Sequence, residues 1–294
     1  MMNVIRMEIY RMFHSVSFYT TILLCAAMAG VLLLSQSNSI NKYYDGASSQ
    51  ETAGVTVKDK KGGDVYVAGN DDETGIAAGD AVNIASPGNV CDSYITSAHL
   101  FEGIFMALFV GSFYAGGYCK NVLGKVRRKG YFQAARLACV TIYAAMILAF
   151  TTVVTVALAA LLIHAFTFAN MGEFALFLLG EYLLLVACGT MFCFFTDLFR
   201  SKIPSLVYAV LLGTTLVLLI ETVINNTAEK LLHKEFFIQH YLPSLYASDY
   251  RYGSLLGGGV EDVSKMLIHA AVLSICALVV YNGLGALALS QKDV

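Results

Sequence analysis

Residues 137–163 read LACVTIYAAMILAFTTVVTVALAALLI, a run without a single charged side chain. A bilayer core about 30 Å thick needs roughly 20 apolar helical residues to cross it. Lipid offers the backbone no hydrogen-bond partner, so a run of this kind has to be helical. Working outward, five further stretches of the same character lie at about 17–35, 98–118, 172–197, 203–224 and 266–289. The expected fold is an all-α membrane protein of six transmembrane helices. Composition agrees, because 57% hydrophobic and 14% charged residues leave too little polar surface for an ordinary soluble domain.

The formal net charge of −2 averages two faces of opposite character. With the N-terminus inside, the inner segments hold Arg6, Arg11, Lys120, Lys125, Arg127, Arg128, Lys129, Arg136, Arg200, Lys202 and Lys292 against Glu8, Asp197 and Asp293. The first outer loop, 36–97, holds Asp45, Glu51, Asp59, Asp64, Asp71, Asp72, Glu73, Asp80 and Asp92 with four lysines. Retention of Lys and Arg on the cytoplasmic side therefore predicts both termini cytoplasmic and a large extracellular loop between helices 1 and 2. The basic residues serve the membrane lipid, and no nucleic-acid partner is expected. The first stretch is long for a signal peptide and no A-x-A pattern follows residues 32–35, so it is read as a retained helix. Cys25, Cys119, Cys139, Cys188, Cys193 and Cys276 fall in or at the ends of spans and only Cys91 looks external, which implies no internal disulfide framework.

Before the first span, Ile5, Ile9, Met12 and Phe13 share a helical face while Arg6 and Glu8 lie elsewhere. This suits either an N-terminal interfacial helix or a simple extension of the first span. Within 36–97, Val55-Thr56-Val57 and Asp64-Val65-Tyr66-Val67 flank Lys60-Lys61-Gly62-Gly63, which fits a small hairpin or a solvated loop. In the basic segment 119–136, Val122, Leu123 and Val126 recur at helical spacing, able to dock in a partner's groove or to sit with the bases on anionic headgroups. The outer segment 225–265 mixes Tyr, Phe and Leu with charges and is divided by Pro243 and the Gly257-Gly258-Gly259 run. It is expected to dip into the interface as a re-entrant or interfacial segment.

Taken together these features resemble the six-span membrane subunit of ABC-2 type ABC transporters, the group with bacteriocin-immunity and peptide-antibiotic export permeases. The resemblance rests on Tyr10-Arg11-Met12-Phe13, Lys120-Asn121-Val122-Leu123 with Arg127-Arg128 and Tyr131-Phe132, Tyr241-Leu242-Pro243, and Ser290-Gln291-Lys292-Asp293-Val294 after the last span. It implies that residues 1–294 form a single ABC-2 type transmembrane domain in a bacterial cell membrane, an exporter of a peptide, antibiotic or lipid-like amphiphile. It further implies that Lys120, Asn121, Val122, Leu123, Val126, Arg127 and Arg128 seat on a separate ATPase subunit, which would carry the ATP and Mg. This chain has no P-loop, since its only Gly-Lys, Gly124-Lys125, is followed by Val126. Nor does it hold a His-Glu-x-x-His or Gly-x-Ser-x-Gly motif, so a transport subunit rather than an enzyme is expected, with no catalytic or metal residues.

Acids inside spans are costly and tend to face a cavity or a partner. Glu181 lies deepest, while Glu102, Glu173 and Glu221 lie near outer span ends, where headgroup water can meet them. Glu181, Glu102 and Glu221 are the translocation-path candidates. His99, His164 and His269 stand singly near span ends and are read as interfacial polar packing. Gly103, Ala107, Gly111 and Ala115 line one face of the second span, which permits close approach of another helix. That helix belongs either to the same chain or, as the resemblance implies, to a second permease subunit in a homo- or heterodimer. A different class of function, an ion-coupled secondary transporter with Glu181 as its carboxylate, stays open. It lacks the paired Gly/Pro-broken helices and internal repeats of such carriers.

Overall fold

The computed structural model describes residues 2–51, 86–115, 130–163, 166–168, 171–212, 222–227, 229–230, 238–250 and 259–291. Eight α-helices follow in chain order: α1 Met2–Phe13, α2 Val16–Glu51, α3 Pro87–Ala115, α4 Gly130–Leu162, α5 Met171–Phe199, α6 Ile203–Leu212, α7 Pro243–Asp249 and α8 Gly259–Gln291. Five of them, α2, α3, α4, α5 and α8, contain segments long and apolar enough to cross a membrane. The chain is a multi-pass membrane protein. Its exposed side chains include Leu23, Val31, Val153, Leu161, Val272 and Val279, whereas Glu102, His99 and Glu181 are buried. Apolar groups outward and polar groups inward is the distribution that a lipid surround requires.

The fifth apolar stretch is described only as far as Leu212, and residues 213–221 lie outside the described residues. The ten residues of α6 extend about 15 Å, too short by themselves to cross. The hairpin expected at 55–67 and the basic residues 120–128 also lie outside the described residues.

The largest departure from expectation concerns the segment 36–97, whose two ends are helical rather than loop. α2 continues to Glu51 and α3 starts at Pro87. These polar extensions persist because they find partners on neighbouring helices: the Tyr94 hydroxyl donates to Gln36 Oε1 at 3.0 Å, and Asn41 Nδ2 donates to the Leu162 carbonyl at 2.8 Å. Beneath them Ala29, Leu33, Val90, Tyr94, Ala159 and Ile163 form a small core of their own. The early start of α3 also buries Cys91, which composition had placed outside. The six described cysteines are free.

Local chemistry sets the breaks. α1 is a separate helix: His14 Nδ1 approaches the Tyr10 carbonyl at 2.9 Å and the chain turns at Ser15 before α2. The prolines fall at helix starts, Pro87 and Pro243 first in α3 and α7 and Pro204 second in α6, where a missing N–H removes nothing from the ladder. Arg200 closes α5 in the left-handed region (φ 51°), which allows the tight reversal into α6. α5 is the hub, packing against α3, α4, α6, α7 and α8, while α1 packs on α4.

Candidate functional site

Two polar clusters lie inside this apolar bundle, and both involve the contact between α3 and α5. The first occupies the end of the bundle at which α1 sits. Arg136, in the first turns of α4, is 1% exposed and pairs through Nη1 with Asp197 Oδ1 near the end of α5. Tyr114, at the end of α3, donates its hydroxyl to the same Asp197 oxygen at 2.7 Å. The guanidinium also lies over the Phe113 and Phe132 rings, 4.9 and 5.5 Å from their centroids. A buried pair held between aromatic faces is fixed in position, because removal of either partner leaves an uncompensated charge.

α1 adds a second pair to this end. Arg11 meets Glu8 at 2.8 Å, donates to the Phe109 carbonyl at 3.3 Å and lies 4.3 Å over the Phe109 ring. Glu8, set apart from the apolar face in the sequence reading, is fully buried. Burial pushes its carboxyl above the ordinary value, and the charges of Arg11 and Arg136 oppose that shift. A helix whose apolar spacing points one way can bury an acid when a base three residues on goes with it.

The second cluster lies farther along the α3–α5 seam. His99 Nε2 and Glu181 Oε2 are 3.0 Å apart, with side chains 6% and 2% exposed. Glu102, one turn along α3, is buried, and neither carboxyl oxygen is hydrogen-bonded among the described residues. Glu102 does not meet headgroup water: α3 begins at Pro87, so the residue lies mid-helix, and its Oε1 is 2.8 Å from the place that a Gly189 Cβ would take. Over the far end of the seam, Tyr250 stacks on Phe177, with centroids 5.3 Å apart and planes 2° from parallel. Its buried hydroxyl has no hydrogen-bond partner among the described residues. Burial and the nearby Glu181 raise the Tyr250 phenol above its usual range. Such proximity is possible because Gly180 has no side chain, its missing Cβ position being occupied by the Tyr250 ring.

Of the path candidates, Glu181 and Glu102 thus share one seam, while Glu221 lies outside the described residues. The coupling residues 120–128 do as well, but the helices on either side of them, α3 and α4, carry Tyr114 and Arg136. His99 was passed over by sequence reasoning as an interfacial singleton, and the structure buries it against an acid; His164 lies outside the described residues, and His269 Nε2 approaches the His240 carbonyl at 3.2 Å. The available signal was the spacing of His99 and Glu102, three apart in an apolar helix and so on one face.

The small face of α3 is occupied within the chain. A Cβ on Gly103 would fall 2.6 Å from Phe192 Cζ of α5 and 2.7 Å from Ala209 Cβ of α6, and one on Gly111 would fall 2.7 Å from Lys202 Cβ. Ala107 is buried and Ala115 exposed. The close helix approach is therefore present, and at Gly103 and Gly111 it is made by α5, α6 and the turn between them in the same chain, the first of the two alternatives. Among the described residues no three His, Cys, Asp or Glu side chains converge as a metal site would need.

No protein-family model and no curated relative matches the chain.

Proposed function

We propose that the chain is the membrane-spanning permease subunit of an ATP-driven ABC-2 type exporter, with six spans and the α1 end and both termini facing the cytoplasm of a bacterial cell. A separate ATPase subunit binds ATP and Mg and seats on residues 120–128, and the cargo is an amphiphile such as a peptide, an antibiotic or a lipid-like molecule. The observation that carries this reading is the Arg136–Asp197–Tyr114 cluster. In the sequence the basic segment follows α3, which ends just after Tyr114, and precedes α4, which begins just before Arg136, and both side chains are fastened to one carboxylate on α5. A push on the segment is thereby delivered to α5, the helix that carries Glu181. The excess of Lys and Arg at this end supports its cytoplasmic placement. Because Gly103 and Gly111 are filled from within, a second permease subunit meets the chain on another face.

The test is co-purification in detergent with the ATPase subunit proposed as its partner. Val122→Asp with Leu123→Asp should release the ATPase while the permease stays monodisperse. Undiminished recovery of the ATPase on a folded double variant would refute the docking assignment.

The second reading, an ion-coupled carrier, draws support from one observation, the unpartnered Glu102 beside the His99–Glu181 pair. Glu181→Gln separates the two readings, as argued below.

A further inference from the structure

Glu102 is unused by the transport reading, yet its setting is unusual. It is 0% exposed, and among the described residues neither of its oxygens has a hydrogen-bond partner and no cation pairs with it. The packing around it is close: the Gly189 Cβ position lies 2.8 Å from Glu102 Oε1 and 2.6 Å from Val140 Cγ1. Close enough to feel its charge are Tyr143 of α4 and Cys188 and Cys193 of α5. Farther along the seam come His99, Glu181 and Tyr250, while Cys25 of α2 acts electrostatically on Tyr143, and Cys188 on Tyr208 of α6. None of these supplies a fixed positive charge. His99 is engaged with Glu181, its Nε2 lying 3.0 Å from Glu181 Oε2.

An isolated carboxylate in an apolar interior is far more expensive than the neutral acid, which needs only modest hydrogen bonding. We propose that Glu102 is a proton-binding site set in the α3–α5 seam. With the seam closed, the carboxyl holds one proton in an O–H bond. Release returns that proton to water, and water reaches the group only when α3 and α5 move apart at Gly189. Proton occupancy and seam opening are thus one equilibrium, and raising the pH favours the open form. The inference is independent of whether ATP drives transport, so the docking test can fail without touching it.

The test uses the full-length chain in lipid nanodiscs and two chemical probes. The O–H of a buried neutral carboxyl adds across a C=N bond of dicyclohexylcarbodiimide, giving an O-acylisourea that rearranges to a stable N-acylurea, and peptide mapping locates the product. Labelling at Glu102 should be present in acid and fall as the pH is raised, by up to about tenfold per pH unit. A maleimide reports the seam through Cys188, which is buried and close enough to Glu102 to feel its charge. The Cys188 rate, read by peptide mapping, should climb with pH more steeply in the wild type than in Glu102→Gln, by severalfold at the alkaline end. Carbodiimide labelling at Glu102 that does not change with pH, or that falls on Glu181 alone, overturns the proposal. So do identical Cys188 profiles in wild type and variant. Where Glu102→Gln does not fold, the wild-type labelling profile decides by itself.

Discussion

Glu8 shows how one residue can carry a pH dependence that its position on paper conceals. Its carboxyl is raised in the folded state by burial, with Arg11 and Arg136 acting the other way. The protonated form is thus the one that folding favours. The stabilisation it brings is complete below the ordinary carboxylate range and disappears as the pH rises through the folded value. Thermal stability in detergent should therefore decline as the pH is taken from mildly acidic to neutral. Glu8→Gln keeps the shape without the charge and should flatten that decline. At neutral pH it should add about 1 kcal/mol, roughly 2–4 °C in Tm for a chain of this size. A variant with the wild-type pH profile would place the titration elsewhere. Neither this residue nor His99 was legible in the sequence. The apolar spacing of α1 marks Met12 as buried but has nothing to say about an acid whose partner is supplied by the next turn. A lone histidine becomes a pair only once α5 brings Glu181 to it from 82 positions away.

Helices were far more legible than their neighbours. The apolar runs marked where α2, α3, α4, α5 and α8 cross, because the requirement for about 20 apolar residues is a property of the chain alone. Their ends were not legible, since Gln36 and Asn41 prolong α2 through contacts with α3 and α4 that no local pattern encodes. The spacing of Gly103 and Gly111 marked a close-packed face, and only the fold says that α5 and α6 sit on it. That assignment has a consequence for substitution. Leu at position 111 would press on Lys202 at the start of α6, where backbone lies within reach at 3.4 Å and the flexible end of the lysine cannot relieve the clash. Gly111→Leu should lower stability by about 1–3 kcal/mol. It should also raise the proteolytic cleavage of the turn at residues 200–202, while dimerisation, measured by light scattering in detergent, stays unchanged. Loss of the dimer without loss of stability would return this face to the subunit interface.

At the scale of the molecule the question is what moves α5. In the ATP-driven reading its motion is imposed from the Asp197 end, and the His99–Glu181 pair is a packing feature of the helix being moved. Glu181→Gln preserves shape and hydrogen bonding, so ATP-dependent transport in proteoliposomes should persist at a substantial fraction of the wild-type rate, with substrate preference altered at most. In the ion-coupled reading the same change removes the titrating group. Transport driven by an imposed proton gradient without ATP, and abolished by Glu181→Gln, would reverse the assignment in favour of that carrier.

The length of α2 has a mechanical meaning. Its 36 residues give roughly 54 Å of continuous helix at about 1.5 Å per residue, of which only Val16–Asn38 is apolar enough to be submerged. Near its lower end the Thr21 hydroxyl grips that of Tyr143 at 2.8 Å. The hold does not end there: Asn41 donates to the Leu162 carbonyl at 2.8 Å, which leaves the last ten residues of α2, roughly 15 Å of helix, beyond that point. Tilting so short a stub by about 10° carries its tip through only about 3 Å, so a load laid on the tip is passed almost rigidly to α4 at Leu162.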